Sequence, residues 1–73
     1  MDRDYLKQKL KDLPTNSGVY IMYSKDRQIL YVGKARNLKN RVTQYFGSVV
    51  GKSDKVLIMV SKIEDFEYII TRN

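Results

Sequence analysis

The sequence predicts a small α+β domain, a mainly antiparallel three-stranded sheet flanked by helices. Three observations predict it. Leucines recur at Leu6, Leu10 and Leu13, the spacing of one helical face. Two runs rich in Val, Ile and Tyr, residues 19–24 and 28–33, are separated only by the polar Lys25, Asp26 and Arg27. A third run of the same kind, Phe66 to Thr71 (FEYIIT), lies at the far end of the chain.

Pro14 ends the first helix, and Thr15-Asn16-Ser17-Gly18 reads as a turn. The next two runs form a hairpin. With Lys25-Asp26 as a two-residue turn, Ser24 faces Arg27, Met22 faces Ile29 and Tyr20 faces Tyr31. Strand alternation then collects Val19, Ile21, Leu30 and Val32 on the other face, and both faces are expected to be covered. Gly33 falls on the face of Tyr20 and Tyr31. Its missing side chain leaves room for something to approach the backbone, or else marks a simple bend at the strand end.

Asn37 is suited to cap a second helix. The apolar stripe of that helix is Leu38, Val42, Tyr45 and Phe46, and Gly47 closes it. Arg41 lies one turn before Tyr45 and can sit beside it. Ser48 to Ser53 is a loop. Asp54 to Ser61 reads as a third helix, mostly buried around Val56, Leu57, Met59 and Val60, although a run this short also suits a strand. The order is helix, hairpin, helix, helix, strand.

The 73 residues make one domain, of modest expected stability. Cysteine and histidine are both absent. That removes disulfides, a thiol nucleophile, the usual zinc sites and the commonest general base. No apolar run is long enough to cross a membrane, and MDRDYLKQKL lacks the apolar block of a signal peptide. A cytoplasmic location without a membrane partner is expected. The formal net charge is +6, and Lys34, Arg36, Lys39 and Arg41 fall within eight positions. Such clustering fits a polyanion partner, most simply nucleic acid, or a plain solvated basic face.

The start of the second helix is expected to offer free backbone N–H groups and the positive end of its dipole to an anion. Lys34 and Arg36 lie just before it and Arg41 one turn inside. Tyr20 and Tyr31 would look toward the same place, giving two hydroxyls, one ammonium and one guanidinium with no carboxylate close in sequence. This set suits phosphodiester hydrolysis, because Arg or Lys stabilises the charge that gathers on the phosphoryl oxygens. An unperturbed phenol titrates near about 10, too high for an efficient base at neutral pH, and a neighbouring cation lowers it. Lys34, near Tyr31 in sequence, is the candidate for that effect. A divalent ion would assist the leaving oxygen and needs a carboxylate ligand. Cross-strand tyrosines are also ordinary sheet stabilisers, worth about 0.2–1 kcal/mol per pair. The residues alone therefore permit a nuclease and equally permit a binding module.

Gly18-Val19-Tyr20 followed by Tyr31-Val32-Gly33 resembles the GIY-YIG nuclease signature, with Val for Ile in both triplets. Leu13-Pro14, the stretch YVGKARNLKNRVTQYF from Tyr31 to Phe46, and IEDFEYIIT from Ile63 to Thr71 are similar to the UvrC-type N-terminal domains of that family. The similarity runs from about Leu10 to the end. It implies the GIY-YIG fold and a DNA endonuclease that cuts 3′ to a lesion in UvrABC nucleotide excision repair. It also implies Mg2+ or Mn2+ as cofactor, DNA as substrate, and UvrB as partner once UvrA has loaded it. By the same resemblance Tyr20, Tyr31, Lys34, Arg41 and Tyr45 are catalytic, with Tyr31, helped by Lys34, activating water and Tyr20 orienting it. Lys34, Arg36, Lys39 and Arg41 contact DNA, and Gly18 and Gly33 are structural.

Ser17 stands where the family usually has proline. The family's metal-binding glutamate lies on a helix beyond the last strand, and neither Glu64 nor Glu67 matches it, so no metal ligand is expected in this chain. The expectation is a GIY-YIG endonuclease domain over residues 1–73, truncated at its C-terminal end. It would show little cutting by itself and would leave apolar sheet surface exposed. Three alternatives compete: a non-catalytic nucleic-acid-binding module, a GIY-YIG nuclease outside excision repair, and an interaction domain that docks UvrB through the basic patch.

Overall fold

The computed structural model describes residues 3–72; Met1, Asp2 and Asn73, which the expected 1–73 domain includes, lie outside them. The elements are α1 (Arg3–Lys11), β1 (Gly18–Tyr23), β2 (Ile29–Ala35), α2 (Leu38–Tyr45), α3 (Asp54–Ser61) and β3 (Asp65–Ile70). The sheet order is β2-β1-β3, with both pairs antiparallel. The expected α+β architecture is the observed one. No helix among the described residues is long and apolar enough to cross a membrane.

Alternation along the central strand decides where the core lies. Gly18, Tyr20 and Met22 are buried, while Val19, Ile21 and Tyr23 are half-buried. On the buried face Phe66 of β3 opposes Met22 and Tyr68 opposes Tyr20. Leu6 and Leu13, Leu38 and Val42 of α2, and Ile63 complete the core, and Met59 and Val60 of α3 pack against it. Each fully buried apolar side chain contributes about 1.5–3 kcal/mol.

The other face of the sheet is not covered as expected. Val32 is 51% exposed and Ile69 59%. The apolar stripes of α1 and α2 both turn toward the Tyr20 face and leave nothing for this one. In α3, likewise expected to be mostly buried, no residue is fully buried and Ile58 is exposed. Only one side of that helix reaches the core.

The hairpin differs from the expected two-residue turn. Arg27 N–H donates to the Ser24 carbonyl at 3.0 Å, Ser24 N–H donates to the Gln28 carbonyl at 2.9 Å, and Arg27 has φ 62°. This is a three-residue loop whose last residue is left-handed. The extra loop residue moves the register by one and a slip between Met22 and Tyr23 moves it by one more, so Tyr20 opposes Gly33 and Met22 opposes Tyr31. An even shift preserves the faces, so Tyr20 and Tyr31 still share one as diagonal neighbours. The slip leaves Leu30 as a bulge that packs against the core cluster instead of joining Val19, Ile21 and Val32. A left-handed arginine costs on the order of 1 kcal/mol. It is held by Asp65 at 3.0 Å and Glu67 at 2.8 Å, with its guanidinium 4.2 Å from the Tyr23 ring centroid. At the other end of the hairpin β2 runs on to Ala35, which pairs with Gly18, and α2 closes on Phe46 as its C-cap in place of Gly47.

Candidate active site

Tyr20 sits mid-strand on β1, opposite Gly33. A Cβ at Gly33 would overlap the Tyr20 ring and hydroxyl. The group that approaches the Gly33 backbone is thus the phenol of Tyr20 itself. A Cβ at Gly18 would overlap the Ile69 carbonyl and the Leu38 side chain. Gly18 lets β3 and the start of α2 close on the central strand.

Tyr20 is only 1% exposed, and its hydroxyl lies 2.9 Å from that of Tyr45, the last residue of α2. Tyr31 reaches the same place from β2 and is 43% exposed. The three rings form a tilted triangle, with centroids 6.1 Å apart for Tyr20–Tyr31, 5.8 Å for Tyr20–Tyr45 and 6.2 Å for Tyr31–Tyr45. Arg41, one turn before Tyr45, places its guanidinium 5.7 Å from the Tyr45 ring centroid. The Tyr20 phenol near it raises its pKa further. Burial, reinforced by the bond to Tyr20, pushes the Tyr45 phenol well above the ordinary range. Tyr45 therefore stays protonated at neutral pH and can donate.

Tyr31, Tyr45 and Arg41, but not the buried Tyr20, border a cavity of about 320 Å³, lined also by Leu30, Lys55, Val56 and Met59. Its floor is apolar and its polar groups are phenols and cations, with no carboxylate in the lining. The expected combination of hydroxyls, ammonium and guanidinium is present, but the ammonium belongs to Lys55. An exposed lysine in the first turn of a helix carries no sequence signal of function. Only the packing of α3 beside β2 brings it here.

Lys34 is not brought to Tyr31. One step past Gly33, alternation turns it to the other face, opposite Val19. There it lines a separate cavity of about 570 Å³ with Ser17, Arg36, Thr71 and Arg72 among others. Lys39 donates to the Lys11 carbonyl at 3.1 Å and ties α2 to the end of α1. The expected basic cluster thus divides among three places.

The start of α2 is not the free anion site expected of it. Leu38 N–H donates to the Asn16 carbonyl and Lys39 N–H to the Pro14 carbonyl, both at 3.0 Å, and Asn40 N–H donates to the Asn37 side chain at 3.0 Å. The turn after α1 folds over the helix start and takes up the N–H groups that a phosphate would need.

The described residues do not fit a divalent cation by themselves. Among them no group of three His, Cys, Asp or Glu could hold a metal ion. Glu67 is paired with Arg27, away from the tyrosine cavity.

Residues 16–73 match the UvrC-like GIY-YIG domain family. The UvrABC system protein C of Lachnospira eligens is 58% identical over 66 residues, which is 90% of this chain and 11% of that protein. The protein of the same name from Gloeobacter violaceus is 50% identical over 70 residues, 96% of this chain and 11% of that protein. The chain therefore spans about a tenth of the length of these curated relatives. Among solved structures it is similar to the GIY-YIG N-terminal endonuclease domain of UvrC from Thermotoga maritima bound to its catalytic divalent cation, magnesium. The TM-score is 0.78 at 29% identity, covering 100% of this chain and 76% of that one. A point mutant of the same domain, also bound to its cation, gives 0.79 at 27% identity with the same coverage.

Proposed function

The chain belongs to the UvrC-like GIY-YIG domain family, and from that premise we propose that it is the strand-cutting domain of a UvrABC system protein C. In this reading it is a metal-dependent DNA endonuclease that hydrolyses a phosphodiester 3′ to a lesion. It works in the cytoplasm with UvrB, after UvrA has loaded that partner. The observation that carries the reading is the convergence of Tyr31, Tyr45 and Arg41, with Tyr20 packed behind them, on a cavity whose lining has no carboxylate. The solved Thermotoga maritima domain, an endonuclease with a bound catalytic cation, supports it.

The scissile phosphate sits at the mouth of the cavity, beside Arg41. The guanidinium is already oriented by the Tyr20 phenol and the Tyr45 ring, so little reorganisation is needed as charge develops on the phosphoryl oxygens. Removing one such preorganised donor costs on the order of 100–1,000-fold in rate. Tyr45, held protonated, donates to a phosphoryl oxygen. Tyr31 is the most exposed of the three phenols, so it orients the attacking water and, once it has given its own proton to solvent, takes the proton of that water as a phenolate. Tyr20 is sealed beneath them and acts through Tyr45 and Arg41 as a positioning residue. Lys34 and Arg36, in the separate basic cavity, contact the DNA backbone away from the scissile bond. The cation's ligand is not among the described residues, and none of these roles passes through it.

The test uses the natural protein that carries this chain, with UvrB loaded on a lesion-bearing duplex in Mg2+. Tyr31→Phe is expected to lose about 100-fold or more of the 3′ incision rate, with salt-sensitive DNA binding unchanged. Equal incision by variant and wild type would refute the assignment. Binding without Mg2+-dependent cutting in either would leave only a nucleic-acid-binding module.

A further inference from the structure

We propose that Lys55 is a substrate-contacting residue: its ammonium takes a phosphate of the bound DNA strand on the α3 wall of the tyrosine cavity. The proposal rests on the nuclease reading of that cavity and adds a residue to it.

The cavity is built from three elements. β2 supplies Leu30 and Tyr31, α2 supplies Arg41 and Tyr45, and α3 supplies Lys55 with Val56 and Met59. Lys55 is the only polar group of the α3 wall, and no carboxylate in the lining neutralises it. Its place is fixed by its neighbours. Lys52 donates to the carbonyls of Tyr45 at 3.3 Å and Ser48 at 2.7 Å, which ties the loop before α3 to the end of α2. The Ser53 hydroxyl then caps the helix by accepting from Val56 N–H at 3.3 Å. The backbone of Lys55 is therefore held beside Tyr45, while its side chain is exposed.

Four other cations are held within the fold. Lys9 is paired with Asp65, Arg27 with Asp65 and Glu67, Lys39 with the Lys11 carbonyl, and Lys52 with the two carbonyls above. No hydrogen bond or ion pair among the described residues holds Lys55. The positions three and four away along the chain are Gly51, Lys52, Ile58 and Met59, so no helical neighbour can pair with it. A cation in the first turn also opposes the helix dipole. A residue that costs stability where it stands, has no internal partner and faces a cavity of phenols and one guanidinium is placed for an external anion. Its flexible stem makes it a point charge that adds affinity, whereas Arg41, fixed against Tyr20 and Tyr45, carries the geometry.

The test measures binding of a short fluorescent single-stranded DNA oligonucleotide to this chain by anisotropy, over about 50–200 mM salt. Lys55→Gln is expected to weaken binding about five- to tenfold at the low-salt end and to reduce the log–log salt slope by about 0.7. Lys55→Arg should restore both. Lys7→Gln, which removes the same charge from α1, should change neither. In the natural protein Lys55→Gln should raise KM for incision and spare kcat. Its melting temperature should equal or exceed that of the wild type, because a charge opposing the helix dipole has gone. Lost binding together with a lowered melting temperature would assign Lys55 a structural role and overturn the proposal, as would an equal effect of Lys7→Gln. If Arg41→Gln weakens binding and Lys55→Gln does not, Lys55 alone is excluded. If neither weakens it, the nuclease reading of the cavity fails as well.

Discussion

The phenol of Tyr20 lies against Gly33, its partner across the β1–β2 pair, and leaves no room there for a side chain. This contact explains how a polar hydroxyl is tolerated on a residue only 1% exposed. The phenol is pressed across the bare strand toward α2, where the Tyr45 hydroxyl meets it at 2.9 Å. The glycine of the second triplet thus serves the tyrosine of the first.

Gly33→Ala is expected to destabilise the domain by about 1–3 kcal/mol, because the new methyl displaces a close-packed ring. Urea unfolding should show a lower midpoint with an unchanged slope. Incision should fall too, since Tyr45 and Arg41 lose the phenol that orients them. A variant as stable as the wild type would mean that Tyr20 can move aside, and the contact would then be incidental.

Removing single hydroxyls should separate the two signature tyrosines. Tyr31 is 43% exposed, so Tyr31→Phe should change stability by no more than about 0.5 kcal/mol while lowering incision about 100-fold or more. Tyr20→Phe should cost about 1 kcal/mol, because it takes away the partner of the half-buried Tyr45 hydroxyl. Paired thermal melts measure the difference. If Tyr31→Phe proved the more destabilising, the division into an exposed reacting phenol and a buried positioning one would be reversed.

The convergence of Tyr20 and Tyr31 was legible in the sequence even though their pairing was not. Strand alternation sets the face, and the true register differs from the two-residue turn by an even step. Half of that step was hidden because the left-handed loop position is filled by Arg27, where Gly or Asn would have signalled it, and the other half is the bulge at Leu30, which no turn residue marks. Lys34 shows the opposite case. Its nearness to Tyr31 in sequence suggested contact, yet an odd step along a strand crosses the sheet, and the lysine lines another cavity. Lys55 and the closed start of α2 were illegible for a different reason. Both depend on packing between distant segments, α3 beside β2 in one case and the 14–17 turn over α2 in the other.

The closed helix start makes a prediction of its own. Asn37→Ala should cost about 1 kcal/mol by orphaning Asn40 N–H, and Asn37→Asp should be tolerated. Inorganic phosphate should leave the amide resonances of Leu38, Lys39 and Asn40 in place, because each N–H already has a partner. Movement of those three resonances on titration would show that the start of α2 opens to anions after all.

Asp65 should govern the acid limb of stability. Its Oδ1 accepts from Lys9 at 2.6 Å, from Tyr5 at 3.1 Å and from Phe66 N–H at 2.8 Å, and its Oδ2 accepts from Arg27 at 3.0 Å. Burial alone would raise this carboxyl, but the bonds from Lys9, Phe66 and Tyr5 outweigh it and hold it below the usual carboxylate range. Lys9 is raised in return: burial pulls it down, and the bonds to Asp65 and Tyr5 more than offset that. For a depressed carboxyl the stabilisation is fully present above the unfolded pKa of about 3.9 and is lost as pH falls through the lower folded value. For the raised lysine it is present below about 10.4 and is lost as pH rises through the higher folded value. The pair should thus contribute a constant amount across neutral pH and fail at both extremes. Asp65→Asn should lower stability at pH 7 by about 1 kcal/mol, a figure reduced for the part of the side chain that stays solvated. It should also flatten the loss of stability between about pH 5 and 3. Urea unfolding across that range measures both effects. An unchanged acid slope in Asp65→Asn would show that other carboxylates carry the acid sensitivity, and that the link from α1 to β3 is an exposed ion pair of little consequence.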